Sequence, residues 1–181
     1  MTEQQLIKDC RAGIKSSQYL LVKRYSGMLL AVCQRYTRDE AMAKDVLQEV
    51  LLRIFKNINK YREEGSFEGW MRRIAVNRSL QWIEKSCFRH EHQPNEMPKA
   101  KAELPEVYAT LGAEDIMTLV NRLPMGFRTV FNLYVVEGYS HQEIAELLDI
   151  SANTSRSQLM RARKSLQEQL QRLNKDSHEV A

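Results

Sequence analysis

Arg156, Arg161, Arg163 and Lys164 fall within nine consecutive positions that contain no acidic residue, in the stretch YSHQEIAELLDISANTSRSQLMRARKSL, residues 139–166. The chemistry open to such a cluster is non-covalent: side-chain cations neutralise phosphates and displace their counterions. The spacing says how the cluster would be presented. Ser140 followed three residues later by Glu143 is a capping-box signature for a helix start, and Ile144, Leu147 and Leu148 give that helix an apolar face. Asp149-Ile150 breaks it, and Ser151 is a second N-cap candidate. On the helix that follows, Ser155, Leu159, Ala162 and Leu166 share one side at about 100° per residue. Asn153, Ser157, Met160, Arg161 and Lys164 point the other way, with Arg156 and Arg163 on a flank. A packed stripe opposed by a basic face suits a helix lying in the major groove of duplex DNA. An ordinary helical hairpin with a solvated basic face fits the same residues.

A second cluster lies in SFEGWMRRIAVNRSLQWI, where Arg72, Arg73, Asn77 and Arg78 stand beside Trp70 and Trp82. Cations interleaved with aromatic rings suit single-stranded nucleic acid, whose bases stack and whose phosphates need counter-charge. Tryptophans at helical spacing also suit a core, and Trp70 is expected to be buried. In DVLQEVLLRIFKNI, residues 45–58, the side opposite the apolar stripe carries Asp45, Gln48, Glu49 and Arg53, a solvated face or a docking face. Enzyme-like chemistry is poorly provided for. Cys87, His90 and His92 are close in sequence but lack a fourth metal ligand nearby, and none of the four histidines has Glu three residues earlier, as a di-iron bundle requires. His141 is expected exposed in the first turn of its helix. The sequence offers neither a Gly-rich phosphate loop nor a nucleophile paired with a base, so no metal, cofactor or small-molecule substrate is expected.

The elements that must position these groups are helices. Gly and Pro are few and no segment alternates for long enough to argue a strand, so the chain is expected to be all-α. Leu21, Tyr25, Met28, Leu29, Val32 and Tyr36 form one stripe; Val46, Leu47, Val50, Leu51, Ile54, Phe55 and Ile58 a second; Phe67, Trp70, Met71, Ile74, Ala75 and Trp82 a third. Together they suffice for a helical bundle over residues 1–89. HEHQPNEMPKAKAELPEV holds three of the four prolines and few large apolar residues, so 90–112 reads as a flexible linker. Helical patterning resumes with Ile116, Leu119, Val120 and Leu123, then Phe127, Val130, Phe131, Tyr134 and Val135. The second helical domain is placed at 113–175, with a fraying polar tail at 176–181. The pI of about 9.0 favours an acidic polymer as partner. No run of about 20 apolar residues suggests a membrane span, and the N-terminus lacks the pattern of a secretory signal. Three widely spaced cysteines suit a reducing compartment, so a cytoplasmic location is expected.

Taken in order, these pieces resemble an extracytoplasmic-function (ECF) sigma factor of bacterial RNA polymerase. Asp45-Val46-Leu47-Gln48-Glu49-Val50 is similar to that family's core-binding helix in region 2. Phe67-Glu68-Gly69-Trp70-Met71 through Ile74-Ala75-Val76-Asn77 is similar to its promoter-melting segment. Leu123-Pro124, Gly138-Tyr139-Ser140, Glu143-Ile144-Ala145 and Arg161-Ala162-Arg163-Lys164 are similar to its region 4. The resemblance implies that Asp45, Gln48, Glu49 and Arg53 dock on the clamp coiled coil of the polymerase. It implies that Ser66, Phe67, Trp70, Arg72, Arg73, Asn77 and Arg78 engage the −10 element, and that the 61–69 loop takes part. Asn153, Thr154, Arg156, Ser157, Gln158, Arg161 and Lys164 would read the −35 element. The implied partners are core RNA polymerase, through its clamp and flap, promoter DNA, and an anti-sigma factor.

The chain departs from the family pattern at several positions. Gln81 and Glu84 stand where an acid and then a basic residue are usual; Asn153 stands for glycine, Ser155 for an apolar residue and Gln158 for arginine. Gln pairs with adenine where Arg prefers guanine, so an altered −35 preference is expected. The rival reading is a helix-turn-helix regulator that binds duplex DNA without polymerase; it leaves the Asp45–Glu49 face without a use. A protein-only adaptor leaves the basic helix without one.

Overall fold

The computed structural model describes residues 1–37, 39–90 and 113–179, with side chains for 1–37, 39–83 and 116–172. Every regular element among them is helical, as expected, and the chain divides into two compact units, Met1–Asn95 and Glu96–Ala181. Of the segment expected to be a linker, 90–112, His90 is the last residue of a helix and 91–112 lie outside the described residues, as do the side chains of Cys87, His90 and His92.

In the first unit, α1 (Glu3–Arg11), α2 (Lys15–Tyr36), α3 (Glu40–Asn57) and α4 (Phe67–His90) follow one another, with a 3-10 turn at Ile58–Lys60. Each start has a local cause where a short polar side chain is available. Thr2 Oγ1 accepts the Gln5 N–H at 3.3 Å and Asp39 Oδ1 accepts the Met42 N–H at 2.7 Å. Helices α2, α3 and α4 pack on one another in all three pairings. Leu21, Leu29, Val32, Val46, Val50, Ile54, Phe67, Met71 and Ala75 fill the space between them. Burying each of the larger side chains is worth about 1.5–3 kcal/mol, which fixes the faces that α3 and α4 leave outward.

The second unit contains α5 (Ala113–Asn121), α6 (Met125–Phe131), α7 (His141–Leu148) and α8 (Ala152–Glu179). Leu119, Val120, Leu123, Ala162 and Leu166 form its core, with Phe127, Phe131 and Leu170 packed against it. The capping box forms: Glu143 N–H donates to Ser140 Oγ at 3.2 Å, and Ser140 N–H to the Glu143 carboxylate at 2.8 Å. Asp149 then takes the left-handed conformation, φ 51°, that ends α7. Ser151 Oγ accepts the Thr154 N–H at 2.9 Å and starts α8.

The segment 132–136 is a π turn, whose extra residue per turn rotates Tyr134 and Val135 off the apolar stripe and leaves both exposed. The tail placed at 176–181 is helical as far as Glu179, where α8 ends. Among the described residues, no helix is long and apolar enough to cross a membrane.

Candidate nucleic-acid interface

The faces of α8 divide as the spacing requires. Ser155, Leu159, Ala162 and Leu166 are buried, while Asn153, Arg156, Arg161, Arg163 and Lys164 are exposed and Met160 is 66% exposed. Arg156 Nη1 donates to Asn153 Oδ1 at 2.8 Å, which holds both side chains at the start of the helix. Ser157 Oγ donates to the Thr154 carbonyl at 2.9 Å, and Thr154 Oγ1 is 2.8 Å from Ser151 Oγ. Both hydroxyls therefore serve the first turn of α8. Gln158 departs from expectation: it is half-buried, and a Cβ at Gly126 of α6 would lie 3.5 Å from its Oε1. Its amide rests over α6 and not on the exposed face.

His141 is also placed otherwise than expected. It is half-buried, its ring stacks on Tyr134 with centroids 4.4 Å apart, and Nδ1 is 2.9 Å from Ser155 Oγ. Burial, and then the charges of Arg156 and Arg163, hold its pKa below the usual histidine value, which keeps the imidazole neutral near pH 7. Tyr134 and His141 wall one side of an open groove of about 640 Å³, and Arg156, Met160, Arg163 and Lys164 rim the other.

In the first unit, the loop before α4 is built on aromatic rings. Phe67 is fully buried; it stacks on Trp70 at 5.6 Å and meets Tyr61 at 5.1 Å and Tyr25 at 6.0 Å. Tyr61 Oη donates to the Gly65 carbonyl at 2.7 Å, and Ser66 Oγ accepts the Gly69 N–H at 3.0 Å to cap α4. A Cβ at Gly69 would fall 2.9 Å from Ser66 Oγ, so a larger residue there would displace the capping hydroxyl. Outward from this base, Ser66, Arg73 and Asn77 are exposed, and Trp70, expected to be buried, is half-buried. Arg72 is tied to Glu68 one turn back by two bonds of 3.1 Å.

Two of the residues expected to contact DNA are buried in this structure. Phe67 supports the loop from the core. Arg78 is only 7% exposed and its Nη2 is paired with the carboxylate of Glu49 on α3. The reason is register: Phe67, Met71, Ala75 and Arg78 fall at i, i+4, i+8 and i+11 on the inward side of α4. A guanidinium carried inward must find a carboxylate. Glu49, expected to serve a partner, is thus engaged within the chain.

On α3, Asp45, Gln48 and Arg53 are exposed as expected. Sequence reasoning passed over Leu52, four residues after Gln48 and seven after Asp45, which is 70% exposed on the same face. It also passed over Arg11, whose guanidinium reaches the carbonyls of Ile58 and Tyr61. The helical spacing could have found Leu52. Nothing local could have found Arg11, some fifty residues from the loop it touches. Cys10 and Cys33 are buried free thiols, and burial pushes the Cys33 thiol up to about 11, so it stays protonated.

Family models describe both halves of the chain: Sigma-70 region 2 matches residues 21–86 and Sigma-70, region 4 matches residues 113–166. An ECF RNA polymerase sigma-E factor of Haemophilus influenzae is 29% identical over 96% of this chain and 97% of its own length. That of Escherichia coli K12 is 26% identical over 96% of both. The chain belongs to the ECF sigma factor family. As a sigma factor it acts with core RNA polymerase in promoter-specific initiation, and sigma factors are non-catalytic. Solved structures agree on the fold. The sigma factor RpoE of Bartonella quintana, in complex with the anti-sigma factor NepR, superposes with a TM-score of 0.58 at 20% identity, covering 84% of this chain and 96% of that one. CnrH, in complex with the cytosolic domain of CnrY, gives 0.52 at 18%, covering 93% and 97%. The α3 face, the 61–69 loop and the outward side of α4 lie in the region 2 match, and the exposed face of α8 in the region 4 match.

Proposed function

We propose that this sigma factor holds promoter DNA at two points while docked on polymerase, each point served by residues of one unit. The observation that carries the reading is α8: a helix capped at Ser151, packed through Ser155, Leu159, Ala162 and Leu166, with Asn153, Arg156, Met160, Arg161 and Lys164 outward. This face enters the major groove at the −35 element, Arg161 and Lys164 on base edges, Arg156 on phosphate and Met160 available to thymine methyl groups. Ser66, Arg73 and Asn77, with the edge of Trp70, receive the unstacked non-template strand of the −10 element. Asp45, Gln48 and Leu52 dock on the clamp coiled coil, with Arg53 beside them. The action is binding and strand opening in the cytoplasm, with no covalent step by the chain itself.

An anti-sigma factor is the expected negative partner; the Bartonella quintana sigma factor RpoE was solved in complex with one. The basic-rimmed groove beside Tyr134 and His141 suits an acidic segment of such a protein.

The assignment of faces is tested by promoter selection with reconstituted holoenzyme. Arg161→Ala with Lys164→Ala should relax base preference at the −35 positions and leave the −10 positions as they were. Asn77→Ala should do the reverse. Variants that shift both elements alike, or neither, would remove the two-point assignment.

A further inference from the structure

Arg11 closes α1 and reaches the loop that precedes α4. Its Nη2 donates to the Tyr61 carbonyl at 2.6 Å, its Nε to the Ile58 carbonyl at 3.4 Å, and its Nη1 to the Glu63 carboxylate at 3.1 Å. One guanidinium thus spans the 3-10 turn at Ile58–Lys60 and the start of the loop. The loop needs such help. Residues 62–66 are exposed, and Glu63 and Gly65 both adopt positive φ, 64° and 97°. A side chain at φ 64° is an uncommon conformation that persists only where its surroundings impose it. Tyr61 and Ser66 tie the loop to itself and to α4; Arg11 ties it to a different helix. Arg11 also stands ahead of residues 21–86, so the region 2 match does not account for it.

We infer that Arg11 is a positioning residue for −10 recognition, holding residues 61–66 in their receiving shape before DNA arrives. This rests on the reading of that loop as part of the −10 site. The physical case is preorganisation: a loop shaped in advance loses less freedom when the strand binds. If the untethered loop is competent one-tenth of the time, apparent affinity falls about tenfold. The three bonds are unequal. Glu63 is exposed, and an exposed ion pair contributes little. The two half-buried backbone carbonyls fix the path of the chain itself, and a planar fork reaches both at once. Lysine keeps the charge but cannot do that.

The test uses holoenzyme assembled from core RNA polymerase and the full-length chain. Its probes are non-template-strand oligonucleotides bearing the −10 element of a promoter selected by the wild-type holoenzyme, matched or with single-base changes. Arg11→Met should lower matched-strand affinity about tenfold and compress the ratio of matched to mismatched affinity, with affinity for core retained. Arg11→Lys should recover little of that ratio. A lowered melting midpoint with an unchanged ratio would make Arg11 a stabilising contact only and would overturn the inference. Asn77→Ala separates the two readings. Loss with Asn77→Ala but not with Arg11→Met sinks the role of Arg11 alone; no loss with either sinks the −10 assignment and this inference with it.

Discussion

His141 Nδ1 lies 2.9 Å from Ser155 Oγ, so the hydroxyl at a fully buried position of α8 is met by the first residue of α7. That contact explains how a polar residue stands where the family usually has an apolar one. A buried hydroxyl without a partner is destabilising, and the α7 imidazole supplies the partner. It also locks the two helices of the helix-turn-helix in register, with Tyr134 stacked on the outer face of the imidazole.

Because its folded pKa is depressed, His141 makes the chain sensitive to acid. The unfolded chain, with a value near 6.5, binds a proton that the folded chain resists. The stabilisation from keeping it neutral is therefore present above about pH 6.5 and lost as pH falls through the lower folded value. His141→Gln should unfold with a shallower pH dependence than wild type between about pH 7 and pH 5. Parallel curves for the two proteins would contradict this account.

Arg78 should behave as a structural cation and not as a DNA contact. Removing one partner of a buried pair costs about 3–5 kcal/mol, and the partial exposure of Glu49 points to the low end. Arg78→Ala is therefore expected to lower stability by about 3 kcal/mol. Arg78→Met combined with Glu49→Met, which removes both charges of the pair, should fold and leave the salt dependence of holoenzyme–DNA affinity at its wild-type slope. A lost phosphate contact would reduce that slope by about 1.

Leu52 is the apolar centre of the α3 face, and apolar centres ringed by polar groups carry most of the energy of an interface. Leu52→Asp should weaken core binding at least about tenfold without moving the unfolding midpoint, since the side chain is exposed in the free protein. A wild-type core affinity would take Leu52 out of the docking face.

Gln158, read from sequence as a base contact, rests over Gly126, whereas Arg161 stands clear. Gln158→Ala should therefore alter the selected −35 sequences less than Arg161→Ala does. The reverse order would show that Gln158 leaves Gly126 to read DNA.

The legible parts of this chain were those governed by local spacing. The capping box at Ser140 and Glu143, the break at Asp149 and the buried stripe of α8 all follow from residues within a turn or two of one another. The same spacing put Arg78 on the inward stripe of α4, but its charge argued for the surface, and only the Glu49 carboxylate on α3 reconciles the two. Tyr134 and Val135 continue the helical spacing of the sequence but lie in a π turn, which changes the period without a sequence mark. Arg11 and His141 act through partners on other elements, at separations where periodicity carries no information.

The most direct measurement is run-off transcription from a genomic library by core RNA polymerase, with and without this chain. The account predicts that the chain directs initiation at a restricted set of promoters sharing −35 and −10 elements, and that the set is lost with Leu52→Asp. Equal initiation by core alone, or none with the chain added, would contradict it.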